Sequence, residues 1–267
     1  MSSSERNLYV LEAQLSGHHG PAVCLSVHAD GTFLACGGLT GTSIWDLASY
    51  SPVATPTGAA DRGTTTSIVW ATRPDSEEDV LIYGTQEGFI CIWQLDDTAK
   101  EFVEIYCKAL DAGPHDRREV TAIAFEATTC QLAIAHRSGS IHRLALSSNM
   151  IPTPLCSTII PLFSPQAVAF GGKGEHGLDL VAFSRSSGEI YFLDEETNIK
   201  RTITTGTIIG DGVLNVNEDV FLIDDVIQGI AIYKSGAKRR ERRTPRRKVV
   251  IRISPSLVFV SAFSRFT

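Results

Sequence analysis

The sequence predicts an all-β fold, a β-propeller of four-stranded antiparallel blades, on three observations. A glycine-marked strand pattern recurs five times along the 267 residues. Short apolar runs of alternating character fill the space between the copies. No segment of a dozen residues carries a 3.6-residue apolar period, so helix should be nearly absent. Evenly spaced short strands, four to a repeat of this length, are the signature of propeller blades.

The copies are clearest at a small turn with glycine and the strand after it. They read Thr40-Gly41 into Ile44-Trp45-Asp46, Glu87-Gly88 into Ile92-Trp93, and Ser138-Gly139 into Arg143-Leu144. Two more read Ser187-Gly188 into Phe192-Leu193, and Gln228-Gly229 into Ile232-Tyr233. The five glycines lie 47, 51, 49 and 41 residues apart. Each falls where a tight hairpin needs a positive φ. Upstream lie middle strands near 33–36, 80–83, 131–135, 178–183 and 220–223. Before those come inner strands near 23–27, 67–70, 120–125, 166–170 and 208–216. Outer strands fit at 102–110, 153–160 and 199–204. The blades then fall near 16–55, 63–110, 118–160, 165–205 and 207–236, with 8–15 placed as a closing strand. Seven blades at this repeat would need about 330 residues, so the five recognisable blades read either as a compact ring of five or six irregular blades or as an open, incomplete version of a seven-bladed parent.

The first copy carries a further pattern. Gly17-His18 precedes the apolar run 23–27, then come Asp30-Gly31 and Ile44-Trp45-Asp46. This frame resembles the WD40-repeat propeller family over roughly residues 8–236, strongly in the first two copies. Tyr83-Gly84 ahead of Gly88, with acidic turns between strands, is similar to fungal WD-repeat proteins. The resemblance implies a buried hydrogen-bonded set within a blade, made of a His, a Ser or Thr, a Trp and a turn Asp. His18 and Trp45 match it. The turn position holds Thr40, Glu87, Ser138, Ser187 and Gln228, so no copy has the complete set and the propeller is a divergent one. His18, Gly41, Trp45, Asp46, Gly88, Trp93, Gly139, Gly188 and Gly229 are thus expected to be structural repeat positions.

Composition sets the class of molecule. With 43% hydrophobic and 20% charged residues, the chain can bury a core and is neither a disordered tail nor a collagen-like fibre. No apolar run approaches the ~20 residues of a membrane helix, and the polar opening 1–7 lacks the apolar core of a signal peptide. Membrane partners are not expected. The six cysteines form no C-x-x-C pair, which fits a reducing cytosolic or nuclear compartment. The net charge of −6 conceals a split. Residues 237–267 carry ten Lys or Arg and one acid, leaving residues 1–236 at −15.

Candidate chemistry is sparse. Gly172 to Gly177 fits G-x-G-x-x-G, but an apolar strand-like run follows instead of the helix that a dinucleotide site requires, so a loop between strands is the reading. His18 reads as a structural hydrogen-bonding residue and the other histidines as surface positions; none has metal-ligand spacing. Acidic clusters at 75–79, 96–97, 194–196 and 224–225 could in principle serve glycoside hydrolysis, yet they sit at strand ends and in turns, where solvated charge is ordinary. No nucleophile elbow occurs. No catalytic residue, cofactor or metal is expected.

The leading function is therefore a non-enzymatic protein–protein interaction scaffold, with binding loops near 72–79, 112–118 and 171–177. Its acidic body favours basic partners. The alternative is a nuclear or nucleic-acid-associated protein using the basic run of Lys238, Arg239, Arg240, Arg242, Arg243, Arg246, Arg247 and Lys248. That run can also serve as a localisation signal, though a solvated linker or an aberrant end is the plainer reading. A propeller hydrolase is a weaker alternative.

Overall fold

The protein is described here by a computed structural model over residues 13–18, 20–74, 79–110, 117–174, 177–215, 220–234 and 250–251. Among the described residues, twenty strands form five four-stranded antiparallel sheets, each from consecutive strands, and the sheets are the blades of a propeller. Among the described residues the helix content is a 3-10 turn at Ala59–Arg62 and a 3-10 residue at Arg117.

Blade 1 comprises β1 (Ala22–Val27), β2 (Phe33–Gly38), β3 (Gly41–Asp46) and the short β4 (Ser51–Val53). Pro52 sits on that outermost strand, the edge position where a missing N–H is tolerated. Blade 2 holds β5 (Thr65–Thr72), β6 (Asp79–Thr85), β7 (Phe89–Asp96) and β8 (Glu101–Ala109). In blade 3 the strands are β9 (Val120–Glu126), β10 (Gln131–His136), β11 (Ser140–Leu146) and β12 (Pro152–Ile159). Blade 4 runs through β13 (Pro165–Gly174), β14 (Gly177–Ser184), β15 (Glu189–Leu193) and β16 (Ile199–Thr204). Blade 5 contains β17 (Ile209–Asn215), β18 (Val220–Asp225), β19 (Gly229–Lys234) and β20 (Val250–Ile251).

Blade 5 draws its outer strand from beyond residue 236, where the repeat pattern stops: Ile230 pairs with Ile251 and Ala231 with Val250. The outer strands of blades 2 and 3 start one residue earlier than the apolar alternation indicates. Residues 13–18, placed in part within a closing strand by sequence, form no strand; 8–12 and the basic run 238–248 lie outside the described residues.

The core lies between blades rather than within one. Ala35 and Ile44 of blade 1 meet Leu81, Tyr83 and Trp93 of blade 2. Ile82, Ile90 and Ile92 on the other side of blade 2 meet Val120, Ile134 and Leu144 of blade 3. Ala133 and Ile141 then pack on Leu180 and Leu193, and Val181 and Phe183 on Phe221 and Tyr233. A middle strand is covered on both faces, which is why Val80-Leu81-Ile82-Tyr83 is an unbroken apolar run. Each such side chain contributes roughly 1.5–3 kcal/mol on burial. Arg143 joins the interface between blades 3 and 4: it is 1% exposed, donates to the Asp194 carbonyl at 3.0 Å and to Gln131 Oε1 at 2.6 Å, and lies over the Phe170 ring.

Successive inner strands pack side by side in the order β1, β5, β9, β13, β17. Among the described residues no comparable packing joins β17 back to β1. The last face of blade 5 consequently leaves Leu222, Ile230 and Ile232 only half-buried. On the first face of blade 1, Trp45 is covered by the 13–18 segment, its Nε1 donating to the Ser16 carbonyl at 2.8 Å.

Candidate functional site

Strand direction alternates across each blade, so the turns between second and third strands share a rim with the connections from one blade to the next. Backbone hydrogen bonds stitch these two kinds of loop together. Ser138 N donates to the Arg117 carbonyl at 3.0 Å, and Ile160 N to that of Gly139 at 3.1 Å. Arg185 N donates to the Ser164 carbonyl at 2.8 Å, Ile209 N to that of Arg185 at 3.2 Å, and Val226 N to that of Ile208 at 3.1 Å. Residues 117, 137–139, 160–164, 185, 208 and 226 therefore form one continuous band across blades 3, 4 and 5.

Two side-chain classes stand on this band. Leu162 is 99% exposed, Ile227 74% and Ile159 70%, with Val226 and Ile208 also exposed. Between them lie Arg117, Arg137 and Arg185, all exposed. The acids on the same rim are Glu119, which Arg137 engages at 2.7 Å, Glu189 beside the Gly188 turn, and Asp224 with the buried Asp225 at the blade 5 end. Leu162 has φ +59, an unfavourable conformation for a non-glycine residue that the bonds on either side of it hold in place. Apolar side chains kept in water on a rigid frame, flanked by arginine, make a surface suited to protein contact.

The opposite rim is acidic, and its acids close turns. Asp46 accepts from Ser49 N at 2.7 Å, and Asp96 from Thr98 N at 2.8 Å. Asp194 accepts from Glu196 N at 3.0 Å and Asn198 N at 2.8 Å, while Glu126 accepts from Thr129 N at 2.7 Å. These backbone donors hold the carboxyls of Asp46 and Asp96 below the usual range. The clusters at 96–97 and 194–196 thus serve local turns in different blades. Asp225, at the other rim, is buried and accepts from Ile227 N and Gln228 N in the β18–β19 turn. Asp46, Asp96 and Asp194 each close the turn after a third strand, on the rim away from the hairpin glycines, so they do not take the place of the turn Asp of the family's hydrogen-bonded set.

The loops expected to bind do not converge. By strand order the described parts, 72–74 with 79 and 171–174 with 177, fall on the acidic rim, and 117–118 on the arginine-bearing one. Residues 75–78, 111–116 and 175–176 lie outside the described residues. The G-x-G-x-x-G stretch bridges β13 and β14, where Gly174 pairs with Gly177 as a strand hairpin. The glycines at 41, 88, 139, 188 and 229 have φ of +93, +84, +90, +62 and +95. His18 Nδ1 lies 3.2 Å from Ser43 Oγ, and its ring meets Trp45 edge-on at 6.4 Å. Trp93 is fully buried.

Histidine placement corrects an expectation. His28 and His136 are buried, not on the surface, and His142 is half-buried. His28 Nδ1 lies 2.5 Å from Asp30 Oδ1, Asp79 Oδ2 stands 2.9 Å from Nε2 without hydrogen-bond alignment, and the ring packs edge-on against Trp70. Burial opposes ionisation of Asp30, yet hydrogen bonds from His28 and Thr32 outweigh it and hold the carboxyl at about 2. His136 Nδ1 donates to the Arg118 carbonyl at 2.7 Å, tying the β10 end to the connection from blade 2. Burial pushes the His136 imidazole down to about 4, with His142 adding to the effect against the Arg118 carbonyl.

That depression has a sign. The unfolded chain takes up a proton near 6.5 while the folded chain resists it until about 4, so stability is lost as pH falls through that window. The expected loss is about 3 kcal/mol in all. His136→Gln keeps an N–H for the Arg118 carbonyl and removes the titration. Urea midpoints measured at pH 7 and pH 4.5 should fall less in the variant than in the parent; equal falls would rule His136 out as the source.

Among the described residues, one group of metal-type donors comes together: Cys91, Glu104 and Cys107, with ligand atoms within 4.8 Å of one another. A cation already lies against it. The Arg62 guanidinium grips Glu104 with both terminal nitrogens, and Nη1 lies 3.4 Å from Cys91 Sγ. The Glu104 contact pushes the Arg62 pKa up, and burial pushes the nearby Tyr83 hydroxyl up. Charge there is balanced by the guanidinium, as for a bidentate arginine–carboxylate pair.

No family model matches the chain, and no curated protein matches it. Among solved structures the chain is similar to one in "Crystal Structure of Mitotic Checkpoint Complex", with a TM-score of 0.65 and 17% identity. The likeness covers 85% of this chain and 66% of that one, so the chain spans just under two thirds of the length it matches. At that identity, what the two share is the propeller fold.

Proposed function

We propose that this chain is a divergent WD40-repeat propeller acting as a non-enzymatic protein-interaction scaffold. Its working surface is the band of exposed apolar and arginine side chains over blades 3–5. The observation that carries this is the stitched loop series from Arg117 to Ile227, which holds Leu162, Ile208, Val226 and Ile227 in solvent between arginines. The His18–Ser43 contact beside Trp45 supports the family reading. The fold likeness to a chain of a multiprotein complex supports the mode of action, not the identity of a partner. Over blades 3 and 4 the exposed Arg117, Arg137 and Arg185 outnumber Glu119 and Glu189, whereas the blade 5 end carries Asp224 and Asp225, so the complementary segment carries carboxylates next to apolar side chains where it meets blades 3 and 4. The acidic body as a whole had pointed to basic partners.

Affinity capture with paired variants tests the reading. Leu162→Glu with Ile227→Glu should abolish capture of the proteins that the parent retains, and Arg185→Glu should weaken it at least tenfold. Asp97→Lys with Glu195→Lys, on the other rim, should leave capture unchanged. The reverse outcome, loss only on the acidic rim, would assign binding to the opposite face.

A further inference from the structure

Blade 2 holds a pair of thiols that scaffolding does not require. Cys91 on β7 and Cys107 on β8 are direct partners in antiparallel register, and their Sγ atoms stand 2.9 Å apart. Residues paired this way keep their Cα atoms about 4.5–5.5 Å apart, within the roughly 4.4–6.8 Å that a disulfide spans. Both thiols are free. Cys91 is fully buried, whereas Cys107 is only half-buried, so an oxidant reaches Cys107 first. β8 is the outermost strand of its blade, which opens that approach.

We propose that Cys91 and Cys107 are a reversible redox pair, converted to a cross-strand disulfide by a low-molecular-weight disulfide. The Cys107 thiolate attacks one sulfur of the small disulfide, forms a mixed disulfide and releases one small thiolate. Cys91 then loses its proton to solvent and attacks the Cys107 sulfur, releasing the second small thiolate. Those two thiolates take up the two protons. The protein thiols have lost two electrons and two protons, and the small disulfide has become two thiols.

The arrangement gives this chemistry a pH dependence and a neighbour. Burial first, then the Cys91 thiol, push the Cys107 thiol up to about 12, with the Arg62 guanidinium pulling the other way. Exchange therefore quickens as pH rises from neutral, because the thiolate is the attacking form. Oxidation also takes from Arg62 its thiol neighbour at 3.4 Å and leaves it on Glu104, at the link between blades 1 and 2.

The test treats the full chain with oxidised glutathione at pH 7 and pH 9, alkylates the remaining thiols, and maps peptides by mass. The expected product has lost two hydrogens, joins the Cys91 and Cys107 peptides, and reverts with dithiothreitol. It forms several-fold faster at pH 9, while Cys24, Cys36, Cys130 and Cys156 stay unjoined. Cys91→Ser should trap glutathione on Cys107; Cys107→Ser should leave Cys91 free of glutathione. Both cysteines alkylated in the parent after oxidation, or glutathione persisting on Cys107 in the parent, overturns the proposal. The parent map alone decides this if either variant folds poorly.

Discussion

Trp93→Ala is expected to cost about 4 kcal/mol of stability. Trp93 is the largest fully buried side chain, and it sits where blade 2 faces blade 1. Its ring meets Tyr83 edge-on at 4.8 Å, and its Nε1 donates to Glu104 Oε2 at 3.4 Å. Truncation opens a cavity between two sheets whose backbones are fixed by their own ladders, so the site collapses little. Trp93→Phe fills most of that volume and loses chiefly the N–H, for about 1–2 kcal/mol. Denaturant titration of both variants checks this; equal losses would mean that volume at the interface is not what holds the blades together.

Gly188→Ala should cost about 3 kcal/mol, a large effect for a single methyl group. The residue has φ +62, and an added Cβ would stand 2.1 Å from the Thr207 carbonyl oxygen. The Gly188 carbonyl also accepts from Thr205 N at 2.8 Å and Thr205 Oγ1 at 2.7 Å. Moving the turn to admit a methyl group pulls on both bonds and on the connection into blade 5. Gly206→Ala is the control: its φ is +73, with nothing within 4 Å of the added atom. It should cost only the left-handed penalty of about 1 kcal/mol. Matched losses at the two sites, again by denaturant titration, would show that the close approach to Thr207 is unimportant.

The blade strands are legible because each carries its own signal. Val80-Leu81-Ile82-Tyr83 and Leu132-Ala-Ile-Ala135 are covered by sheets on both sides, so they read as apolar runs. Gly139 and Gly188 mark hairpins because a Cβ there would strike the Ile160 and Thr207 carbonyls. The fate of single polar side chains is much less legible. His136 is buried because the Arg118 carbonyl, 18 residues earlier, comes to meet its ring nitrogen. His28 is buried because Asp79 arrives from the next blade. The Cys91–Cys107 pairing depends on a strand register set partly by the irregularity between Ile92 and Trp93, and no local pattern announces it. The proposed band was touched only at Arg117, for a topological reason. Loop composition pointed to 72–79, 112–118 and 171–177 alike, whereas the rim a loop occupies follows from strand order. Leu162 stands in an apolar connection between Ile160 and Phe163, which are both buried, and shows its exposure only once blades 3 and 4 are in place.

Hydrogen exchange, measured on the chain alone and in its captured complex, locates the rim that binds. Exchange should slow at 137–139, 160–164, 185–188 and 226–228, with no change at 97–100, 147–151 and 194–198. Protection confined to 97–100, 147–151 and 194–198 would contradict that expectation, because binding would then use the acidic rim.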